Sequence, residues 1–252
     1  MILVVSDVHL GFKKCNRKDF ISFLKKFRGK DIENLVLLGD IFDFWRRNNA
    51  QIVEENEEVM ERISDLDAKK VHYIAGNHDY YILTLNKMSE NNENKFTVSK
   101  YLRLESGGEN FFFVHGYQLE SILWEFPASL EMYEKFSNEM CYNQDFTGSF
   151  LSIIWDLKEL FSKKRRFTND MDKEPHKRKN IDEVYKLAVS SAKYLLLGMQ
   201  PTENLVFGHT HRPFISKDKK VVNTGSWINE IKKKYQNSFV EIDDGKMDLK
   251  FF

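Results

Sequence analysis

Five short apolar runs in this chain each stop abruptly on residues of the kinds that ligate metals. Ile2–Ser6 ends at Asp7-Val8-His9, Asn34–Leu38 at Gly39-Asp40, and Val71–Ala75 at Gly76-Asn77-His78-Asp79. Asn110–Val114 ends at His115-Gly116, and Asn204–Phe207 at Gly208-His209-Thr210-His211. Apolar runs this short, without polar alternation, read as strands buried on both faces. Helical patterns separate the first three. Between Lys18 and Phe27, the residues Phe20, Ile21, Leu24 and Phe27 share one face, and in the Glu-rich stretch Ile52–Leu66, Val59, Ile63 and Leu66 stand at core spacing. Strand, polar loop, helix and next strand therefore repeat, which predicts βαβ units and a sheet with parallel strands.

The pattern changes after residue 80. Phe96–Leu104 and Asn110–Val114 flank Ser106-Gly107-Gly108 and read as a hairpin. Residues 117–200 read as mostly helical. Short strand patterns return around Ile215, Val221–Asn223, Ser238–Ile242 and Met247–Phe251. There is no internal repeat and no Pro/Gly/Ser-rich linker. The expected organisation is one α/β core built from 1–116 and 201–252, with 117–200 inserted as a helical cap.

Composition narrows the class further. At 252 residues the chain is long enough for a sizeable core, and 42% hydrophobic with 30% charged residues is the balance of a folded protein. Lys+Arg and Asp+Glu are equal at 38 each, so net charge gives no reason to expect polyanion binding over the whole surface. Cys15 and Cys141 are too few for a disulfide framework and lack metal-ligand spacing. The opening Met-Ile-Leu-Val-Val-Ser-Asp has no basic n-region, and no stretch approaches the roughly 18–20 apolar residues of a membrane span. The expected setting is the cytoplasm.

The chemistry collects at the strand ends. In open α/β sheets the carboxyl ends of the strands converge on one crevice, so ligands remote in sequence meet there. Taken singly, Asp7-x-His9 is an ordinary solvated turn and Gly39-Asp40 an ordinary loop start. All five blocks in this order are not ordinary. Carboxylate and imidazole donors together favour divalent transition metals, manganese first with iron, zinc and nickel as alternatives, over an all-oxygen calcium or magnesium cage. With two such ions, Asp7 and Asp40 leave the pocket cationic, which suits a phosphate substrate. Two ions about 3.5–4 Å apart clamp the attacking and leaving oxygens of an in-line displacement and lower the pKa of bound water.

These residues resemble a known signature. Asp7-x-His9, Gly39-Asp40-x-x-Asp43, Gly76-Asn77-His78-Asp79, His115 and Gly208-His209-x-His211 are similar to the blocks of the calcineurin-like metallophosphoesterases. The resemblance implies a four-layer α/β/β/α sandwich. It also implies that one metal takes Asp7, His9, Asp40 and His211, and the other Asp40, Asn77, His115 and His209. By the same resemblance His78 is a catalytic histidine that is not a ligand, and Asp43 orients it. Asn223-Thr224-Gly225-Ser226 resembles a tight turn that the family has near its C-terminal end. A narrower resemblance, carried by Gly39-Asp40-Ile41-Phe42-Asp43-Phe44-Trp45 and Gly208-His209-Thr210-His211-Arg212-Pro213, is to the UDP-2,3-diacylglucosamine pyrophosphatase branch. That branch has a helical cap in the same place and cleaves a nucleotide–lipid pyrophosphate. The chain departs from it at His78, where the best-known members carry Arg, and at Tyr117-Gln118-Leu119.

Three functions stay open on the sequence: hydrolysis of a nucleotide-linked or lipid-linked pyrophosphate, cleavage of cyclic nucleotides or nucleic acid, and a non-catalytic scaffold on the same fold. The segment expected to form the cap carries Trp124, Phe126, Tyr133, Phe136, Tyr142, Phe146, Phe150, Trp155 and Phe161. It also carries the basic runs Lys163–Arg166 and His176–Lys179. These suit the core of a small lobe, an apolar groove for a lipid tail at a membrane surface, or stacking on a single-stranded nucleic acid. His72 and His176 have no motif around them and read as structural or surface residues.

Overall fold

Each apolar run folds as a strand and stops where the polar residues begin. The computed structural model describes residues 1–88, 95–123, 130–142, 171–177 and 182–252. In chain order the first elements are β1 (Ile2–Val5), α1 (Arg17–Phe27), β2 (Asn34–Leu38), α2 (Asn49–Glu55), α3 (Glu57–Ser64) and β3 (Lys70–Ile74). Next come α4 (Ile82–Met88), β4 (Phe96–Ser99), β5 (Tyr101–Ser106), β6 (Glu109–Val114), α5 (Tyr117–Ser121) and α6 (Leu130–Tyr142). The chain closes with α7 (Asp182–Val189), α8 (Ala192–Leu197), β7 (Glu203–Phe207), β8 (Phe214–Ile215), β9 (Val221–Asn223), β10 (Ser238–Asp243) and β11 (Lys246–Phe251).

Two sheets result. One runs β11-β10-β1-β2-β3-β4, with β1 to β4 parallel, and the other runs β5-β6-β7-β9-β8, with β6, β7 and β9 parallel. Side chains alternate across each strand, and the burial follows. Ile2, Val4, Val36, Leu38 and Ile74 of the first sheet meet Phe111, Phe113, Val206 and Val222 of the second in one apolar cluster. Leu3, Val5, Leu35 and Leu37 point the other way, onto Phe20, Leu24, Val59 and Ile63 of α1 and α3. Phe112, Val114, Leu205 and Phe207 pack outward onto Leu119 of α5 and onto Val184 and Ala188 of α7. The layers are therefore α/β/β/α, as the resemblance implies. Truncating a fully buried phenylalanine such as Phe113 to alanine costs about 3–5 kcal/mol.

Two sequence expectations change. The run 96–104 is two strands on different sheets: Phe96–Ser99 lies parallel to β3, and Tyr101–Ser106 pairs antiparallel with β6. The chain crosses between the sheets at Lys100, and the Ser99 hydroxyl donates to Tyr101 O across the bend at 2.7 Å. The stretch 52–66 is two helices, broken at Asn56. That residue is buried, donates from Nδ2 to Ile52 O at 2.7 Å and accepts from Arg17 Nε at 2.9 Å, so its side chain competes with the helical ladder.

Segment 117–200 is helical wherever it is described among 117–123, 130–142 and 182–197, apart from its turns. α5 and α7 supply the fourth layer, while Tyr133, Met140 and Cys141 of α6 join the core cluster of the first sheet. Trp124, Phe126, Phe146, Phe150, Trp155, Phe161, the first basic run and Arg178-Lys179 of the second lie outside the described residues. His176 is exposed and sits 3.0 Å from Glu174. His72 is buried, with Nε2 donating to Asn34 Oδ1 at 3.0 Å and Nδ1 2.8 Å from Thr97 Oγ1. Both cysteines are free thiols.

Candidate metal centre

The strand ends that carry the motifs turn by the same device. Asp7, His9, Asp40, His209 and His211 all have positive φ, between 51° and 66°. Asp, Asn and His tolerate this left-handed region better than other side chains, yet it still costs free energy unless the surroundings hold it. Here they do. Asp7 N donates to Gly39 O at 3.0 Å, His9 N to Asp40 O at 2.9 Å and Leu10 N to Ile41 O at 2.9 Å, so the loops after β1 and β2 stay laced beyond the strands. Two glycines mark where backbone and ligand come too close for a Cβ. One built on Gly76 would lie 2.1 Å from Asp40 Oδ1, and one on Gly208 would lie 2.4 Å from Asp7 Oδ2.

Asp79 ties these loops together. Its carboxylate is fully buried and accepts from Ile41 N at 2.8 Å, Gly76 N at 2.7 Å and the Tyr73 hydroxyl at 2.5 Å. Burial, with the like charge of Asp40 behind it, pushes this carboxyl up to about 6. On the far side the Asn223–Ser226 turn buttresses the second sheet. Asn223 Nδ2 donates to Gly208 O at 2.6 Å, and Thr224 Oγ1 lies 2.5 Å from Ser6 Oγ, which in turn bonds Asp7.

The side chains gather in overlapping groups. Asp7, His9 and His211 bring donor atoms within 4.8 Å of one another, as do Asp40, His115 and His209. His9 Nε2 and His211 Nε2 are 3.1 Å apart, and His211 Nε2 is 3.2 Å from Asp7 Oδ1. His115 Nε2 is 3.2 Å from Asp40 Oδ2 and 3.9 Å from Asp7 Oδ1, so the two groups adjoin. The His115 ring is oriented by its other nitrogen, Nδ1, which donates to Leu38 O at 2.8 Å. Asn77 is buried next to His78 in the chain.

A third group, His9, Asp43 and His78, borders the first. His78 Nδ1 lies 2.9 Å from Asp43 Oδ1, and the other oxygen of Asp43 binds the Arg46 guanidinium. His78 N donates to Asp40 Oδ1 at 2.8 Å. Trp45 stacks on the His78 ring with centroids 4.2 Å apart and planes 21° from parallel. Ring plane and tautomer are both constrained.

Electrostatics show what the group attracts. Burial pushes the Asp40 carboxyl up, but the imidazoles of His115 and His78 outweigh it and hold it well below the usual carboxylate range. Burial pushes the His115 imidazole down, but Asp40 and Asp7 lift it to about 10, and Asp7 and Glu230 lift His211 to about 9 against the same burial. Positive charge is drawn to these lone pairs.

The donors fit bound cations on independent grounds. Asp7 Oδ1, Asn77 Oδ1 and His115 Nε2 are buried without a hydrogen bond. Native interiors rarely leave such atoms unsatisfied, because each costs about 1–3 kcal/mol. Buried, unsatisfied acceptors of carboxylate, amide and imidazole type suit divalent transition ions.

Eight of the nine residues singled out in the sequence gather here, Asp7, His9, Asp40, Asp43, His78, His115, His209 and His211, while Asn77 is buried next to His78 in the chain. Sequence reading missed four neighbours. Asp79 was visible in the Gly-Asn-His-Asp block without a role, and Trp45 and Arg46 adjoin the Asp40 block. Glu120 bonds His209 Nε2, and nothing in its local sequence marks it.

The chain belongs to the calcineurin-like phosphoesterase family, whose model matches residues 1–213. It is 26% identical over 255 residues to the UDP-2,3-diacylglucosamine hydrolase of Aliivibrio fischeri (strain MJ11), with 96% of this chain and 95% of the relative aligned. It is also 26% identical over 262 residues to the UDP-2,3-diacylglucosamine hydrolase of Blochmanniella pennsylvanica (strain BPEN), covering 99% and 95%. Among solved structures it aligns with a dimetal phosphatase from Danio rerio at 12% identity and a TM-score of 0.49, over 99% of this chain and 94% of that one.

Proposed function

We propose that this protein hydrolyses the pyrophosphate bond of a nucleotide-linked lipid, and that Asp40 is shared between two metal sites in doing so. The observation that carries the reading is the juxtaposition of two donor groups, one built on Asp7, His9 and His211 and one on Asp40, His115 and His209, beside an oriented histidine that neither group requires. Asp7, His9, Asp40 and His211 would hold one ion, and Asp40, Asn77, His115 and His209 the other. Manganese is the ion we assign. Two bound divalent ions supply hydroxide near neutral pH and positive charge for the phosphate oxygens.

The chain's own residues set the rest. Asp43 and Trp45 hold the His78 ring, and Asp43 accepts from Nδ1, so a protonated His78 keeps an Nε2–H to donate. We assign it the leaving oxygen, the place of a general acid. Asp43 is a positioning residue. Asp79 and Gly76 keep Asn77 and Asp40 in place.

The substrate class is supported by the names of both curated relatives and by their near-complete alignment. It is also supported by side chains on the helices beside the site: Ile122, Leu130, Met132 and Tyr142 are exposed although large and apolar. Such a surface suits an acyl tail. Among the described residues no helix is long and apolar enough to cross a membrane. We place the protein in the cytoplasm, with the exposed apolar side chains of α6 turned to lipid.

Hydrolysis by manganese-loaded protein of UDP-2,3-diacylglucosamine, bis-p-nitrophenyl phosphate and p-nitrophenyl phosphate tests the reading. Preferential cleavage of the first is expected. Preference for the diester would replace it with a phosphodiesterase or nuclease. No turnover with two ions bound would point to a binding protein.

A further inference from the structure

The two histidines of Gly208-His209-Thr210-His211 enter the centre in different ways. His211 presents Nε2 to Asp7 and His9. The Nε2 of His209 is given instead to Glu120 Oε2, so the nitrogen His209 has left for the Asp40–His115 group is Nδ1. Glu120 reaches it from α5, which starts directly after the ligand His115. That short helix is clamped from both sides. Tyr117 is buried in the core cluster of the first sheet and Leu119 in the cluster outside the second. Gly116 N donates to Gln118 Oε1 at 3.0 Å, and Ser121 Oγ donates to Gln118 O at 3.0 Å. The Glu120 side chain leaves a backbone with little freedom.

We infer that Glu120 is a positioning residue that fixes which nitrogen of His209 faces the centre, tuning the affinity of one of the two metal sites. The inference rests on the two-metal reading of the centre and deepens it. A metal-ligating imidazole needs its second nitrogen held by an acceptor, and the acceptor's charge sets how strongly the ring donates. His115 and His209 belong to the same donor group and meet that need differently. His115 is held by the neutral carbonyl of Leu38, His209 by a carboxylate. The negative charge on Glu120 also adds to the field of Asp40 at that site. On the other motif histidine the corresponding second nitrogen, Nδ1 of His211, has its carboxylate neighbour farther away, with Glu230 Oε2 at 3.7 Å.

The test is a metal titration of the full-length apo protein with Co2+ alone, followed by calorimetry and by the visible absorption of the bound ion. Wild type is expected to bind two ions. Glu120→Ala should weaken one of them about 10–100-fold and leave the other unchanged. Glu120→Gln keeps an oxygen acceptor without the charge and should fall between the two. Glu230→Ala should leave the Glu120-sensitive step at its wild-type affinity. Thermal melts of the apo forms keep the result interpretable, since Glu120 is 41% exposed and its loss should not unfold the chain. Unchanged affinities in both Glu120 variants would overturn the inference, and so would equal weakening of both ions. Two ions bound normally by wild type with no turnover of any phosphate ester would sink the proposed substrate and leave this inference standing. Fewer than two ions on wild type would sink both.

Discussion

The two sheets contribute to the centre on different terms. Asp7, His9, Asp40 and Asn77 leave the first sheet inside loops laced to each other by backbone bonds and by the Asp79 carboxylate. All four are nearly inaccessible. Of the candidate ligands from the second sheet, His115 is as deeply set, but the His209 and His211 side chains are 10% and 18% exposed. These two depend on groups from elsewhere: Glu120 from α5, Asn223 from the end of β9, and Glu230 from the loop before β10. One half of the centre follows from parallel strand pairing alone. The other half becomes rigid only when outer helices and the C-terminal loops have docked.

The sharpest test of that division is the shared ligand. Asp40→Ala should abolish activity and lose both ions in elemental analysis if the two sites share this carboxylate as proposed. Retention of either ion would show that the halves are more independent than the geometry implies. Chelation of wild type should likewise abolish turnover reversibly and lower the melting temperature, since ions that bind the folded state alone stabilise it by mass action. His78→Ala comes next. It should keep both ions and lose roughly 10²–10⁴ in kcat, the range of a general acid. Full activity in that variant would remove His78 from the chemistry.

Stability separates the halves at smaller cost. Asp79→Ala leaves several backbone donors buried and unmet, and should destabilise the apo protein by at least about 3 kcal/mol in urea unfolding. Asn223→Ala should cost less, about 1–3 kcal/mol, and should act first on His209 and His211. An Asn223 effect as large as that of Asp79 would erase the contrast. The smallest expected effect lies outside the centre, at His72. Burial, with Lys70 behind it, holds its pKa below the usual 6.5. The unfolded chain then takes up a proton first, so this contribution is complete above about pH 6.5 and is lost as pH falls through the folded pKa. Wild type should accordingly lose stability more steeply than His72→Gln below pH 6.5.

Much of this arrangement was legible before any coordinates. Strands β2 and β9 occupy the residues the apolar runs marked, and every motif residue stands just past a strand end. The reason is local: an apolar run ends where a side chain that must face a polar crevice begins. What misled was equally local. The run 96–104 looks like one strand because nothing in its pattern says that Lys100 crosses between sheets. The stretch 52–66 looks like one helix because the pull of Arg17 on Asn56 comes from 39 residues away.

Residue types and their order along the chain thus determined the α/β class, the candidate ligands and the positions of the loops that carry them. Only the tertiary structure decided which nitrogen of each histidine faces the centre, that Glu120 holds His209, and that Asp79 anchors two loops at once. Those facts depend on distances between segments far apart in sequence. Periodicity records which face of an element is buried, but a hydrogen bond between two loops leaves no period to read.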